Sequence, residues 1–256
     1  MKQGDFTEVA KHYHNRPAYS AMLLEKLIAC VKPHHLPIQS FKVAEIGAGT
    51  GKLSKMLANF GLQLTCVEPN ANMRSEGMAY TKSCDIVWRE GSGEATGLES
   101  NTYDWVVMAS SFHWTDPSKS LPEFARILKS GGYFTALWNP RNIKEDSIFG
   151  EIEHEIKAIV PELSRVSSGS QNVKKWEEIL TSTGDFKECF FMECDYIEIM
   201  DKSRYMGAWH SVNDIQAQAG KSRWQEILQM IEGKIAHLHL IEIPYKIRAW
   251  SVQSTH

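Results

Sequence analysis

A glycine-rich turn followed by a well-placed acid could hold a nucleoside. The segment EIGAGTG occupies residues 45–51, directly after a short apolar run, where a strand would turn into a helix. Glycines at such a turn let the backbone approach a ligand closely and point amide N–H groups at it. Glu68 ends the next apolar run, where an acid is placed to accept both ribose hydroxyls of an adenosine. Together these features predict a nucleoside-cofactor site, although the turn alone is also typical of a helix cap.

The glycine spacing separates this turn from that of the dinucleotide-binding folds. The spacing is G-x-G-x-G, whereas a dinucleotide turn is G-x-G-x-x-G, and position 52 is Lys52 rather than glycine or alanine. An NAD-dependent oxidoreductase is therefore a less favoured alternative.

Strand-like and helix-like runs alternate between about residues 42 and 139. Short apolar runs predict strands at 41–46, 62–67, 85–88, 105–109 and 133–138. Helical periodicity predicts helices after residue 52, at 71–81 and at 117–128. Asp116 offers the N-cap of the third helix, and Pro122 must lie in its first turn or delay its start. The alternation implies an α/β doubly wound sheet, whose ligands sit beyond the carboxyl ends of the strands.

The pattern changes after Trp138. The predicted elements are helices at 143–160 and 173–183 with a polar linker at 164–170, a long strand at 187–200, a helix-rich stretch at 201–239 and a final strand at 241–252. We expect the last two strands to pair antiparallel at one edge. We predict three parts: an N-terminal helical cover over 1–40, a core over 41–200 and 240–256, and a helical lid over 201–239.

Composition narrows the partners and the compartment. Lys and Arg total 28 against 31 Asp and Glu, a net charge of −3, so we expect no nucleic-acid partner. The five cysteines show no C-x-x-C spacing, which argues against a disulfide scaffold or zinc site, and we expect no bound metal. The first residues do not resemble a signal peptide, and no apolar segment approaches the roughly 20 residues that span a bilayer. We expect a cytoplasmic protein without membrane contacts.

Six short segments together indicate a protein family more specifically than the glycine turn alone does. They are YHNRPAY at 13–19, EIGAGTG at 45–51, VEPN at 67–70, GSGEA at 91–95, FHW at 112–114 and LKSGG at 128–132. With these segments the chain resembles the class I S-adenosylmethionine-dependent methyltransferases, in particular the small-molecule branch called type 11 and its trans-aconitate-methyltransferase-like members. Gly93, Gly97 and Ser130 depart from the alanine and two prolines usual in that family.

The resemblance implies a Rossmann-like, mostly parallel sheet with an antiparallel last strand, N-terminal helices and an inserted helical lid. It implies S-adenosylmethionine as cofactor and S-adenosylhomocysteine as product. The implied cofactor-binding residues are Tyr13, Arg16, Glu45, Gly47, Ala48, Gly49, Gly51, Glu68, Pro69, Asn70, Met73, Ser92, Gly93, Glu94, Ala109, Ser110 and Trp114. In this set Glu68 takes the ribose hydroxyls. The adenine is flanked by Pro69, Asn70 and Met73, and its edge is lined by Ser92, Gly93 and Glu94. The sulfonium end is bordered by Ala109, Ser110 and Trp114.

The resemblance also implies methyl transfer to a small molecule by in-line displacement, and we favour a carboxylate or hydroxyl oxygen as the acceptor atom. A carboxylate arrives ionised and needs no base, whereas other acceptors want one, for which histidine is the usual candidate. His113, after the fourth strand, and His210, in the predicted lid, are the catalytic candidates, each with a structural hydrogen bond as the alternative. Trp138, Arg141 and Trp209 are predicted to line the acceptor pocket.

Of two further functional classes, a silent binding module stays open and a nucleic-acid methyltransferase is disfavoured. A catalytically silent S-adenosylmethionine-binding module would keep the same segments, because binding does not show turnover. A nucleic-acid methyltransferase would carry N-P-P-Y after the fourth strand, where this chain has SSFH at 110–113. Residues 1–40, 140–175 and 201–239 carry no diagnostic motif, so the identity of the acceptor and the oligomeric state stay open.

Overall fold

A mixed sheet of seven strands is formed by the residues that the computed structural model describes, 9–164 and 175–256. Its strands are β1 (Lys42–Ile46), β2 (Gln63–Val67), β3 (Ile86–Arg89), β4 (Tyr103–Ala109), β5 (Leu128–Trp138), β6 (Phe186–Met200) and β7 (Ile241–Ser254). The predicted linker at 164–170, beyond its first residue, and the start of the predicted helix at 173–183 lie outside the described residues.

Helices connect most of these strands. They are α1 (Ala21–Val31), α2 (Lys52–Asn59), α3 (Ala71–Tyr80), α4 (Pro117–Ile127), α5 (Ile148–Ile159), α6 (Trp176–Leu180), α7 (Lys202–His210) and α8 (Asn213–Lys234). Short 3₁₀ helices lie at Ala10–Asn15, Ile38–Ser40 and Phe112–Trp114. The backbone of α8 is interrupted at Gly220, where φ is +71°.

The strand order β3-β2-β1-β4-β5-β7-β6 confirms the predicted fold class. Strands β1 to β5 pair in parallel, and β7 pairs antiparallel with β5, from Tyr133 opposite Gln253 to Trp138 opposite Arg248. The chain runs outward from β1 to β3 and then returns to β4 on the other side of β1. The gap between the ends of β1 and β4 is therefore the topological switch point, where sheets of this class bind ligands.

Side-chain caps explain where several helices begin. The first residue before the helix accepts a backbone N–H at the starts of α1 (Ser20), α3 (Asn70), α4 (Asp116), α5 (Ser147) and α7 (Asp201). Such a cap satisfies one of the amides that a helix leaves unpaired at its start. The predicted cap at Asp116 is confirmed.

Pro122 does not lie where the sequence placed it. It is the sixth residue of α4, beyond the first turn, and the helix still begins at Pro117. Leu121 and Phe124, on either side of it, are fully buried. Packing of this apolar face compensates for the one helical hydrogen bond that a proline cannot donate.

Two predicted boundaries are wrong because long-range pairing takes over. β5 begins at Leu128 rather than Tyr133, since Leu128 already pairs with Tyr103 and a register shift accommodates the glycines that follow. α5 begins at Ile148 rather than at residue 143. The segment before it is held by pairing, because the Asn142 amide donates to the Pro244 carbonyl at 2.8 Å.

The chain divides into two compact units. Among the described residues, unit 1 contains 9–18, 141–164 and 195–246, and unit 2 contains 19–140, 175–194 and 247–256. β6 and β7 continue from one unit into the other along the chain. The predicted division into cover, core and lid concerns the role of each segment and stays a prediction.

Each unit has its own apolar interior. In unit 2 the core includes Phe112, Phe124, Phe134 and Trp138, all fully or almost fully buried. In unit 1, Ile152 of α5 and Ile227 of α8 are fully buried, and their helices contact each other.

Candidate functional site

Four strand ends of unit 2 come together at the switch point. β1 pairs in parallel with both β2 and β4, and β4 pairs in parallel with β5, so their carboxyl ends lie at one edge of the sheet. The residues that follow these ends are 47–51, 68–70, 110–114 and 139. This edge is where the predicted cofactor residues of unit 2 meet.

The glycine turn has a backbone that other residues rarely adopt. Gly47, Gly49 and Gly51 have φ values of +66°, +58° and +75°. A Cβ atom on Gly47 would lie 2.8 Å from the Ser111 side chain, and one on Gly51 would lie 2.9 Å from Cγ2 of Thr81. Both the left-handed backbone and the lack of space therefore require glycine here.

The amides of this turn already have acceptors inside the protein. Gly47 and Ala48 donate to the Val67 carbonyl at 2.8 and 3.1 Å, and Gly49 donates to Oε2 of Glu68 at 2.9 Å. The expectation that the turn points amides at a ligand is wrong for these three, because the β2 end takes their hydrogen bonds. What remains for a ligand is a backbone without side chains that it can approach closely.

Glu68 joins the end of β2 to the turn. Its Oε2 accepts from the Gly49 amide and its Oε1 from the Asn70 amide, both at 2.9 Å. Burial raises the pKa of Glu68, whereas these two amides and Arg74 oppose that rise. Each carboxylate oxygen has two acceptor positions, so both retain capacity for a ligand hydroxyl.

Glu45 lies inside the sheet rather than on the surface of the turn. It is 1% exposed on β1, and its Oε2 accepts a weak hydrogen bond from the Cys66 thiol, with 3.8 Å between sulfur and oxygen. Burial raises the pKa of Glu45 to about 8. The carboxyl is therefore mainly protonated at neutral pH, and its location favours a structural role behind the turn.

Three of the predicted adenine-side residues make contacts that shape the site. Asn70 caps α3 by accepting two amides at 3.0 and 3.1 Å. Met73 is buried, and its Cε would lie 3.4 Å from a Cβ atom on Gly49. Oε1 of Glu94 accepts from the Asp116 amide at 2.9 Å, which ties the loop after β3 to the start of α4.

Ser92 and Gly93 belong to a tight turn of that loop. The Ser92 amide donates to the Ala95 carbonyl at 3.0 Å, and the Ala95 amide donates to Oγ of Ser92 at 3.2 Å. A Cβ atom on Gly93 would lie 2.6 Å from Cγ2 of Thr115. This close approach explains glycine at a position where the family usually has alanine.

At the end of β4, the predicted residue Ser110 lies in a polar group with two residues, Tyr19 and Asn139, that were not predicted as site residues. The Tyr19 hydroxyl lies 3.3 Å from Oγ of Ser110, and that Oγ donates to Oδ1 of Asn139 at 3.4 Å. Ser110 has a φ of +54°, which costs a non-glycine residue about 1–2 kcal/mol. Strain of this kind concentrates at functional sites. The signal for Tyr19 was its place at the end of YHNRPAY; Asn139 had none beyond following the fifth strand.

His113 is connected to the end of β5. Trp138 Nε1 donates to Nδ1 of His113 at 3.2 Å. Burial lowers the pKa of His113 to about 4. Trp138 itself is fully buried, so it acts on the site through this hydrogen bond rather than as an exposed wall.

Trp114 is the aromatic side chain that this edge exposes. It is 47% exposed, and its ring centroid lies 4.9 Å from that of His113. Ala109, the last residue of β4, and Ser110 complete the predicted sulfonium side of the site. Unit 2 therefore brings together the predicted residues from Glu45 to Trp114.

A family model described as a methyltransferase domain matches residues 44–136, which run from β1 to within β5. Residues 44–136, the segment that this family model matches, are here called the methyltransferase domain. The domain contains the glycine turn, Glu68 and His113, whereas Trp138 and Asn139 lie two and three residues beyond its end.

The chain has relatives among curated proteins. An uncharacterised methyltransferase of Mycobacterium tuberculosis (strain ATCC 25618 / H37Rv) is 33% identical over 134 residues, which are 52% of this chain and 51% of that protein. The chain thus spans about half the length of this relative. The malonyl-[acyl-carrier protein] O-methyltransferase of Paenibacillus sp. (strain JDR-2) is 26% identical over 192 residues, 66% of each chain.

Solved methyltransferase structures share the fold. The structure of a proposed type II methyltransferase from Anaeromyxobacter dehalogenans superposes with a TM-score of 0.60 and 15% identity, over 93% of this chain and 97% of that one. The similarity therefore extends beyond the methyltransferase domain to the strands that follow it.

The remaining predicted residues belong to unit 1 and are not part of residues 44–136. Arg16 donates to the Ser211 carbonyl at 2.9 Å and to its hydroxyl at 2.5 Å. Its guanidinium lies 4.9 Å from the centroid of the Tyr13 ring. Arg16 thus joins the N-terminal segment to the end of α7.

Arg141 and Trp209 lie together in unit 1. The Arg141 guanidinium donates to Glu153 at 2.6 Å and lies 4.8 Å from the Trp209 ring. The negative charge of Glu153 raises the pKa of Arg141 against the effect of burial, so the arginine stays charged and paired. Trp209 is almost fully buried.

His210 ends α7, and its ring centroid lies 5.2 Å from that of His12. Burial, followed by the charge of His210, lowers the pKa of His12. The structure thus places His210 in unit 1 and His113 in unit 2, each with a different aromatic partner.

Two absences hold for the described parts of the chain. Residues 9–164 and 175–256 contain no group of three or more histidines, cysteines or acids that could hold a metal ion. No helix within the same residues is both long and apolar enough to cross a membrane.

Proposed function

We propose that this protein is an S-adenosylmethionine-dependent methyltransferase that transfers a methyl group to a carboxylate or hydroxyl oxygen of a small molecule. The observation that carries the proposal is the left-handed glycine turn joined to Glu68 through the Gly49 amide. This arrangement places a turn of three glycines, which carry no side chains, beside a buried acid with free acceptor positions. Such a cradle fits a nucleoside that carries two hydroxyls.

The residues of this chain would bind the cofactor and orient the acceptor, and they would not need to activate the methyl group. S-adenosylmethionine supplies an already activated methyl group when bound. Glu68 would accept the ribose hydroxyls, the glycine turn would border the methionine side, and Met73 would pack near the adenine. Alignment of two reactants can contribute about 7–11 kcal/mol to lowering a barrier. Trp114, exposed at the same edge, can stabilise a sulfonium charge by roughly 0.5–2 kcal/mol.

The net charge supports a small molecule as the acceptor, and the name of one relative supports oxygen as the acceptor atom. The net charge of −3 gives no basic excess for nucleic acid. The Paenibacillus relative is named as a malonyl-[acyl-carrier protein] O-methyltransferase. The roles that the resemblance implies for five residues of unit 1 stay predictions; these residues are Tyr13, Arg16, Arg141, Trp209 and His210.

A labelled-methyl experiment tests the proposal. The full-length protein is incubated with methyl-labelled S-adenosylmethionine and a metabolite panel of organic acids, alcohols, phenols and amines. We expect label in a carboxylic ester or a methyl ether. Label only in protein or nucleic acid would overturn the proposal. Binding of S-adenosylhomocysteine without any labelled product would support a silent binding module instead.

A further inference from the structure

His113 is held so that only one of its nitrogens faces the protein. Trp138 Nε1 donates to Nδ1 at 3.2 Å, and an indole nitrogen can only donate. Nδ1 must therefore be unprotonated, which leaves the single proton of a neutral imidazole on Nε2. A second proton on Nδ1 would face the indole N–H and break the bond.

The donor that fixes this tautomer is itself immobile. Trp138 stacks on Trp176 with 4.5 Å between ring centroids, and meets Trp250 edge-on at 5.5 Å. Because the indole is fully buried between these rings, its N–H has one direction. Burial, which lowers the pKa of His113 to about 4, keeps the imidazole neutral over the physiological range.

The other nitrogen of His113 is open. Nε2 has no hydrogen-bond partner within residues 9–164 and 175–256, and it does not belong to the buried unpartnered polar atoms of that part of the chain. His113 lies two residues after Ser111, whose side chain packs against Gly47 of the glycine turn. The free N–H is therefore presented on the loop that borders the cofactor turn.

We propose that His113 is locked as the Nε2–H tautomer, and that this N–H binds an oxygen of an ionised carboxylate acceptor instead of removing a proton from it. The inference rests on the proposed function and narrows it to carboxylate methylation. An imidazole in this state cannot take a proton at Nε2, so a hydroxyl acceptor would find no base here. A carboxylate needs none, and it gains a hydrogen-bond donor that orients its attacking oxygen.

Nitrogen-15 NMR of histidine-labelled protein tests the locked tautomer without turnover. We expect Nδ1 of His113 to give the signal of an unprotonated nitrogen and Nε2 that of a protonated one, with no titration near neutral pH. His113→Gln assigns these signals by removing them. A proton on Nδ1, or a titration of His113 near its ordinary pKa, would overturn the proposal.

Acetate is the probe for the carboxylate contact, with acetamide as its neutral control. In the presence of S-adenosylhomocysteine and at constant ionic strength, we expect acetate, but not acetamide, to shift the Nε2–H signal of His113. An unchanged signal, or equal shifts with both probes, would contradict the proposal. This measurement needs no methyl transfer, so its failure is distinct from an absence of labelled product in the metabolite panel.

Two variants separate positioning from proton transfer for a carboxylate found in the panel. His113→Gln places an amide N–H near the position of Nε2, whereas His113→Asn reaches only the position of Nδ1. We expect His113→Gln to keep KM within a few-fold and His113→Asn to raise it about ten- to hundred-fold, as loss of a hydrogen bond to a charged group predicts. Equal loss of kcat in both variants, with a limb near neutral pH in the wild-type profile, would instead identify a base.

Discussion

Glu68 is the single residue on which the proposed cofactor site depends most. We expect Glu68→Ala to weaken the affinity for S-adenosylhomocysteine about ten- to hundred-fold, because hydrogen bonds to a charged group contribute about 1.5–3 kcal/mol. Titration calorimetry measures the effect. An unchanged affinity would contradict the assignment of Glu68 to the ribose hydroxyls.

The matched control for this variant is Glu76→Ala. Glu76 is an exposed acid on α3, within the same methyltransferase domain. It should leave the affinity unchanged. Because Glu68→Ala also frees the Gly49 amide from its acceptor, thermal unfolding of both variants shows whether lost affinity reflects a lost contact or a lost fold.

Glu45 makes a different prediction, on stability against pH. Its folded pKa is about 8, whereas an ordinary glutamate has a pKa of 4.5. Between these values the folded chain holds a proton that the unfolded chain has released, so the free energy of unfolding falls as pH rises through this window. Glu45→Gln removes this titration. We expect its stability relative to wild type to rise by a few kcal/mol between about pH 5 and about pH 8.5.

Urea unfolding of wild type and Glu45→Gln at both pH values measures this gain. The control is Glu76→Gln, which replaces an exposed glutamate. The difference in free energy of unfolding between this variant and wild type should be nearly the same at both pH values. A difference between Glu45→Gln and wild type that stays constant with pH would show that Glu45 is ionised in the folded chain.

At the scale of elements, the start of α3 combines a structural and a binding role. Asn70 accepts two amides of this helix, and the resemblance also places it beside the adenine. We expect Asn70→Ala to lower the free energy of unfolding by about 1 kcal/mol, and Asn70→Asp, which preserves the cap, to cost much less. Chemical denaturation measures both. If the two variants unfold alike, the cap contributes nothing.

Local sequence patterns predicted most elements of the methyltransferase domain because those elements are stabilised by their own periodicity and caps. The starts of α2, α3 and α4 follow a glycine, an asparagine and an aspartate that end the preceding loop. The starts of β5 and α5 were missed, since pairing of β5 with β4, and of the segment before α5 with β7, determines them. Such partners are distant in sequence and leave no local signal.

In the candidate site, too, features that depend on local sequence were predicted and features that depend on distant partners were not. The glycine turn and Glu68 were predicted because a motif at a strand end needs only its own strand and the next one. The hydrogen bond between His113 and Trp138 joins residues after different strands and depends on tertiary packing. The sequence predicted both residues as candidates. Only the structure shows that the Trp138 indole N–H donates to Nδ1 of His113, so that this nitrogen is not available as a base.

At the scale of the whole molecule, β6 and β7 are continuous across both units. A strand shared by two units couples their unfolding, because loss of its pairing in one unit removes support for its remainder. The chain is therefore expected to open globally as one cooperative body, although its compact regions are two.

Ligand-dependent hydrogen exchange tests this coupling. S-adenosylhomocysteine at about 100 times its Kd should stabilise the folded chain by about 2.7 kcal/mol, which slows exchange through global opening about a hundred-fold. The slowest amides of β1, in unit 2, report the bound unit, and those of α8, in unit 1, report the other. We expect both sets to slow by the same factor, because an amide that exchanges only through global opening records the stability of the whole chain. Slowing confined to β1 would mean that α8 opens independently, and that the shared strands do not couple the two units.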